Sequence, residues 1–174
     1  GPTRFNRDSL KNITYLASYN SNELLLGTTT GLYKADLTTK RYRIIEPTRG
    51  FNVKSIHRFN QDQAWLTVKG KGILMIDKDE FLTTYPMDKN RYLASPHCMV
   101  SDGLGYFWVP TNRGLFQIAI RDLLLYSKLL KSATSKNLPA TLNNRLPSEL
   151  FYKYHTMEEG FTTNEFNGGC QPCG

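Results

Sequence analysis

Three glycines, Gly31, Gly72 and Gly114, stand 41 and 42 positions apart, each at the same place in a repeated segment. The segments read Leu24-Leu25-Leu26-Gly27-Thr28-Thr29-Thr30-Gly31-Leu32-Tyr33, Trp65-Leu66-Thr67-Val68-Lys69-Gly70-Lys71-Gly72-Ile73-Leu74 and Phe107-Trp108-Val109-Pro110-Thr111-Asn112-Arg113-Gly114-Leu115-Phe116. After each glycine, apolar residues follow at the first, second and fourth places: Leu32, Tyr33 and Ala35; Ile73, Leu74 and Ile76; Leu115, Phe116 and Ile118. A unit of this size cannot bury its apolar faces alone and must stack on its neighbours, so the period constrains the fold more than any single residue does.

Four short strands per unit fit the period, and the spacing is that of a β-propeller blade. The first unit predicts strands near Ile13 to Ala17, Glu23 to Thr28, Gly31 to Asp36 and Arg41 to Ile45. Its turn formers are Tyr19-Asn20-Ser21-Asn22 and Leu37-Thr38-Thr39-Lys40. The second repeats the scheme over Val53 to Phe59, Ala64 to Val68, Gly72 to Ile76 and Phe81 to Tyr85. The third supplies His97 to Ser101, Tyr106 to Pro110 and Gly114 to Ile120, and its fourth strand is delayed. Leucines spaced along Arg121 to Lys131 predict a short helix there. Ser132 to Ser148 reads as a long polar loop broken by Pro139 and Pro147, and Phe151 to His155 completes the unit.

The expected architecture is all-β: a partial propeller over 1–174, with blades over about 10–47, 51–86 and 95–157 and the start of another over 160–174. Propellers close with about four to eight blades, so three blades and a start do not form a ring. The expectation is a part of a larger propeller; several chains combining is the alternative.

The 22 Lys and Arg against 15 Asp and Glu give a net charge of +7, which raises the question of a phosphate-rich partner. Along the chain these cations are scattered. Lys34, Lys40, Arg41 and Arg43 lie near one hairpin, while Lys69, Lys71, Lys78, Lys89, Arg91 and Arg113 fall singly among turns and strands. No basic stripe with interleaved aromatics emerges, so the reading is solvated surface and no nucleic-acid partner. No apolar run reaches the roughly 18 residues needed to cross a bilayer. The start, Gly1-Pro2-Thr3-Arg4, lacks the apolar core of a secretory signal; it fits a piece cut from a longer protein, whose own signal or membrane helix would not show here.

At Gly27-Thr28-Thr29-Thr30-Gly31-Leu32-Tyr33 and at Trp108-Val109-Pro110-Thr111-Asn112-Arg113-Gly114-Leu115-Phe116 the chain resembles the two-component regulator propeller repeat, whose core is Trp, an apolar residue, Gly-Thr, two variable residues, Gly-Leu and an aromatic. Unit two departs from it with Val68-Lys69 in place of Gly-Thr and with Trp65 one place early, and unit three has Pro110 for the first glycine. Glu159-Gly160-Phe161-Thr162-Thr163-Asn164-Glu165-Phe166-Asn167 is similar to the segment that marks the end of such propellers in bacterial hybrid two-component sensors. The resemblance implies an extracytoplasmic, periplasmic segment of an inner-membrane sensor histidine kinase, followed in the parent by a β-sandwich, a membrane helix and the kinase. It also implies a ligand such as an oligosaccharide or another nutrient, a homodimeric parent, and contacts with the rest of the propeller. No catalysis and no cofactor are expected of this segment.

Candidate chemistry is sparse. Cys170 and Cys173 have the two-residue spacing that serves a disulfide or a metal. A zinc site would need two further ligands from Cys98, His57, His97 and His155, which include no close pair; two ordinary loop cysteines are the default. Tyr19, Tyr85, Arg91 and Tyr92 fall in or beside predicted loops and are the candidates for ligand contact. Trp65 and Trp108 could stack on sugars, but their place in the repeat favours packing between blades. Asp77, Asp79 and Glu80 open like a calcium loop, yet lack its sixth-place glycine and distal Glu. Ser101-Asp102-Gly103-Leu104-Gly105-Tyr106-Phe107-Trp108 is close to the Asp-box of sialidase-type propellers, with its Asp one place early. No carboxylate pair for a glycosidase is in register across the units. A propeller lyase or hydrolase acting on glycans, and a passive protein-interaction propeller, are the alternatives to a sensor.

Overall fold

Alternating apolar residues and side-chain-capped turns build each sheet. A computed structural model of the chain describes residues 10, 12–135, 146–147 and 150–156, and the backbone of 3–4. The first blade comprises β2 (Ile13–Ser18), β3 (Glu23–Thr28), β4 (Gly31–Asp36) and β5 (Arg41–Ile44). The second comprises β6 (Val53–His57), β7 (Gln63–Val68), β8 (Gly72–Asp77) and β9 (Leu82–Thr84), and the third β10 (Val100–Ser101), β11 (Tyr106–Pro110), β12 (Leu115–Ala119) and β13 (Lys153–His155). Each blade is an antiparallel meander with its strands in chain order. Helix α1 (Ile120–Ser135) is inserted between β12 and β13. It extends to Ser135, four residues beyond the predicted end. A fifth strand, β1 (Thr3–Arg4), pairs with the outer edge of β5, with Thr3 opposite Tyr42. No residue pattern announces a strand of two residues.

The turns repeat the same chemistry. Asn20 Oδ1 accepts the amides of Asn22 and Glu23 at 2.9 and 2.8 Å, and Asn60 Oδ1 those of Asp62 and Gln63 at 2.9 and 3.1 Å. Asp102 Oδ1 does the same for Leu104 and Tyr106 at 2.7 and 3.1 Å. Between the third and fourth strands, Asp36 accepts from Thr38 and Thr39, and Asp77 from Asp79 and Phe81. Side chains that satisfy turn amides in this way fix loop length and therefore strand register.

The core lies between the sheets. Leu25, Leu32, Ile45, Val53, Ile56, Leu66, Val68, Leu74 and Ile76 fill the seam between blades one and two. Trp65, Ile73, Met75, Tyr85, Phe107, Val109, Phe116 and Ile118 fill the seam between blades two and three, with Ile120 and Leu123 of α1 closing its outer side. Ser127 of α1 hydrogen-bonds Thr83 of β9 at 2.7 Å, and Lys131 reaches the carboxylates of Asp77 and Asp79.

The repeat glycines have a steric cause. Gly72 has φ +80°, a left-handed conformation that a side chain resists, and at Gly114 an added Cβ would run into the Tyr154 ring. The early position of Trp65 also resolves. Thr28 pairs with Gly31 across two intervening residues, whereas Val68 pairs with Gly72 across three. Thr111 N to Gly114 O restores the two-residue loop in blade three. Counted back from these pairs, Leu25, Trp65 and Trp108 hold one equivalent position; the extra loop residue in blade two, not a shift of the tryptophan, separates them in the sequence.

Candidate functional site

Antiparallel strands give each blade two ends. One carries the turns between first and second and between third and fourth strands. The other carries the hairpins 29–30, 69–71 and 112–113 and the two connections between blades. Backbone hydrogen bonds knit this second end together: Gly50 N donates to Thr30 O at 2.8 Å, Lys69 N to Asn52 O at 2.9 Å and Gly70 N to Ala94 O at 2.7 Å. Tyr154 Oη donates to Arg113 O, and the Tyr154 ring meets that of Tyr92 with centroids 5.5 Å apart.

The four residues expected at ligand contacts fall in three different places. Tyr85 is 3% exposed, its ring stacks on Trp65 at 5.9 Å, and its hydroxyl donates to Leu123 O at 3.0 Å. Burial drives its phenol far above the ordinary range. That side chain belongs to the core, because β9 ends at Thr84 and α1 folds back over the residues that follow. Tyr19 sits at the turn end, half-buried beneath the Lys34 ammonium, 3.9 Å from its ring centroid, with the Arg58 guanidinium at 4.7 Å. Arg91 and Tyr92 share the hairpin end.

Their loop is built by Asp88, whose carboxylate accepts the amides of Asn90, Tyr92 and Leu93 at 3.1, 3.1 and 2.8 Å. The wrap holds Arg91 at φ +57°, the left-handed turn conformation that Lys40 and Glu80 adopt at the opposite end. Arg91 is exposed and Tyr92 half-buried.

The cations that look scattered along the chain are not scattered in space. Lys69 and Lys71 of the second hairpin, Lys89 and Arg91 of the second connection and Arg113 of the third hairpin all lie at this end and are exposed. None of them forms an ion pair among the described residues. Lys71 lies 4.6 Å over the Phe51 ring.

The turn end balances part of its charge internally. Lys34 and Arg43 of blade one both contact Glu80 of blade two, and the Arg43 guanidinium holds the Glu80 carboxyl below the ordinary carboxylate range. A cavity of about 310 Å³ here is lined by Glu23, Lys34, Asp36, Arg41, Tyr42 and Arg43. Of its charges, Lys34 and Arg43 are spent on Glu80 and Asp36 on the Thr38 and Thr39 amides, while the exposed Arg41 forms no ion pair among the described residues.

The other sequence motifs resolve into structural roles. Asp77 and Asp79 take Lys131, and no group of three His, Cys, Asp or Glu that could hold a metal occurs among the described residues. Asp102, one place early for an Asp-box, nonetheless caps its turn and accepts the Trp108 indole N–H at 3.1 Å. Desolvation pushes its carboxyl up, but the bonds from the Leu104 amide, the Trp108 indole and the Tyr106 amide outweigh this and lower it. Cys98 is 4% exposed and disulfide-bonded. Cys170, Cys173 and the Asn164-Glu165-Phe166-Asn167 segment lie outside the described residues.

Solved structures share this arrangement. Among them are extracellular domains from Bacteroides thetaiotaomicron proteins assigned as hybrid two-component systems. For BT4673 the TM-score is 0.62 at 13% identity, covering 90% of this chain and 20% of that one. For BT3049 it is 0.53 at 15% identity, covering 88% and 18%. Virginiamycin B lyase from Staphylococcus aureus matches with a TM-score of 0.52 at 13% identity, covering 68% of this chain and 42% of the lyase. The described sheets are β-propeller blades. The chain thus spans less than half the length of each of these structures. No protein-family model and no curated protein matches the sequence, and no helix among the described residues is long and apolar enough to cross a membrane.

Proposed function

We propose that the chain is a ligand-sensing or signal-transmitting propeller segment from the extracytoplasmic, periplasmic part of a hybrid two-component sensor histidine kinase that responds to an oligosaccharide or another nutrient. The observation that carries this reading is the alignment of 90% of the chain with one such extracellular domain, joined to the repeat motif at Trp108 to Phe116 and the terminal Glu159-Gly160-Phe161 to Asn167 segment. In this reading the segment performs no chemistry. Ligand binding shifts the geometry of the parent's propellers or of a parent dimer, and the ligand must bind one arrangement better than the other for a signal to pass. The remaining blades and the downstream parts of the parent are the partners.

The test uses the parent protein with a transcriptional reporter in its native host. Deleting residues 51–86 removes one blade and is expected to abolish the response to the inducing nutrient while the protein is still produced and inserted. An unchanged response in that strain sinks the reading. A propeller lyase shares the fold, but no described residue here favours that chemistry over sensing.

A further inference from the structure

We propose that the hairpin end of blades two and three binds an anionic oligosaccharide, one bearing carboxylate or sulfate groups, through Lys69, Lys71, Lys89, Arg91 and Arg113. The glycan occupant rests on the sensor reading above; the anionic character rests on the geometry alone.

Three observations converge. The five cations come from three separate loops, and the fold brings them to one end of neighbouring blades through the Gly70–Ala94 hydrogen bond and the Tyr92–Tyr154–Arg113 contacts. All five are exposed and none is ion-paired among the described residues, whereas at the opposite end Lys34, Arg43 and Lys131 are drawn into bridges by Glu80, Asp77 and Asp79 and only Lys40, Arg41 and Lys78 stay exposed without one. The acidic groups on the hairpin end are already engaged: Asp88 by three backbone amides and Glu46 by Arg49, at 2.8 Å. A surface that neutralised its own charge would pair these groups. This one leaves the Arg91 guanidinium in solvent. Half-buried Phe51 and Tyr92 beside the cations offer apolar ring faces of the kind that sugars cover. Converging cations of one sign also raise the local concentration of an anionic ligand.

The experiment titrates the parent's whole extracytoplasmic region, in which these blades sit in a complete propeller, with oligogalacturonate, sulfated dextran oligosaccharide, unmodified dextran oligosaccharide and a single-stranded oligonucleotide of matched charge, by calorimetry. The expected result is binding of one or both charged glycans and none of the neutral one. The affinity should fall about tenfold or more between roughly 50 and 200 mM salt. The double variant K69E/K71E should lose about tenfold or more, and Arg91→Glu should lose a similar amount. The double variant K40E/K78E, placed at the opposite end with the same change in net charge, should keep wild-type affinity. Equal loss in both double variants means a net-charge effect and overturns the site. Binding of the neutral sugar at equal strength overturns the anionic class, tighter binding of the oligonucleotide overturns the glycan, and no binding of any probe overturns the proposal. None of these failures alters the reporter response of the blade-deleted parent, which tests the sensor reading separately.

Discussion

Trp65 and Trp108 occupy one position in successive blades and live in opposite surroundings. Trp65 is 0% exposed between blades two and three, packed on Phe107 at 4.9 Å and Tyr85 at 5.9 Å, with its indole N–H unpartnered among the described residues. Trp108 points away from blade two, is half-exposed, stacks on His155 at 5.3 Å and donates its N–H to Asp102. The repeat therefore directs an apolar side chain at the next blade, Leu25 in blade one and a tryptophan in blades two and three, and the local surroundings decide what becomes of the indole's polar edge. In the closed seam, packing outweighs an unmet hydrogen bond; on the half-exposed face, the hydrogen bond is kept.

The largest test of that contrast is truncation at each site. Trp65→Ala should destabilise the fold by about 3–5 kcal/mol, the range for deleting a buried aromatic, while Trp108→Ala should cost about 1 kcal/mol, in line with ring contacts at a partly exposed site. Urea melts followed by circular dichroism read both. Equal costs would mean that Trp108 is as buried as Trp65 in solution. Trp65→Phe should cost far less than Trp65→Ala, because it removes the unpartnered N–H along with only part of the ring.

Gly114→Ala comes next, at about 1–3 kcal/mol, from overpacking against the Tyr154 ring. In a Tyr154→Ala background, which bears its own cost from lost contacts with Tyr92 and Phe116, Gly114→Ala should add little, and an unchanged added cost there would place the clash elsewhere.

Much of this was legible beforehand. The strands Glu23–Thr28, Gly31–Asp36 and Tyr106–Pro110 have the bounds that the repeat and its turn formers predict. The delayed fourth strand of blade three follows from the leucines of α1, which place a helix before Lys153–His155. Edges were less legible: Val53 to Phe59 shortens to Val53–His57, since Arg58 turns its guanidinium to Tyr19 O and Gln61 O. The candidate site was half visible. Arg91 and Tyr92 sit in a loop marked by Asp88 and Asn90, turn formers that a sequence shows. Tyr85 misled because its burial depends on α1, which begins 35 positions later. The cation cluster was hidden for the same reason. Its members lie in different units, and only knowing which end of a blade each loop occupies brings them together.

A smaller effect concerns Tyr85 and alkaline pH. Burial holds its phenol well above the ordinary value of 10.0, so the neutral form is favoured in the fold. The associated stability is fully present below pH 10 and is lost progressively as pH rises above it. Tyr85→Phe loses the bond to Leu123 O, an expected cost of about 1 kcal/mol at pH 7, and should flatten the alkaline limb. Chemical melts between about pH 7 and 11 check this; an unchanged slope in the variant would assign the limb to another group, with Tyr152, whose phenol burial also raises strongly, next in line.

The smallest predicted effect returns to Trp108. Hydrogen bonds hold the Asp102 carboxyl below its ordinary value of 3.8 against an opposing desolvation, so the charged form is favoured in the fold. Its contribution is present above the unfolded value and is lost as pH falls through the lower, folded one. Protonation removes an acceptor from the Trp108 indole and the turn amides, so Trp108 emission should change below about pH 4 while Trp65, whose ring touches no carboxylate described here, stays constant. Trp65→Phe isolates the Trp108 signal, and Asp102→Asn, which keeps a side-chain oxygen for the turn but no titrating charge, should abolish the acid transition. If the transition survives in Asp102→Asn, the signal comes from opening of the β11–β12–β13 edge. The hydrogen bond that distinguishes the two tryptophans would then not be what holds Trp108 in place.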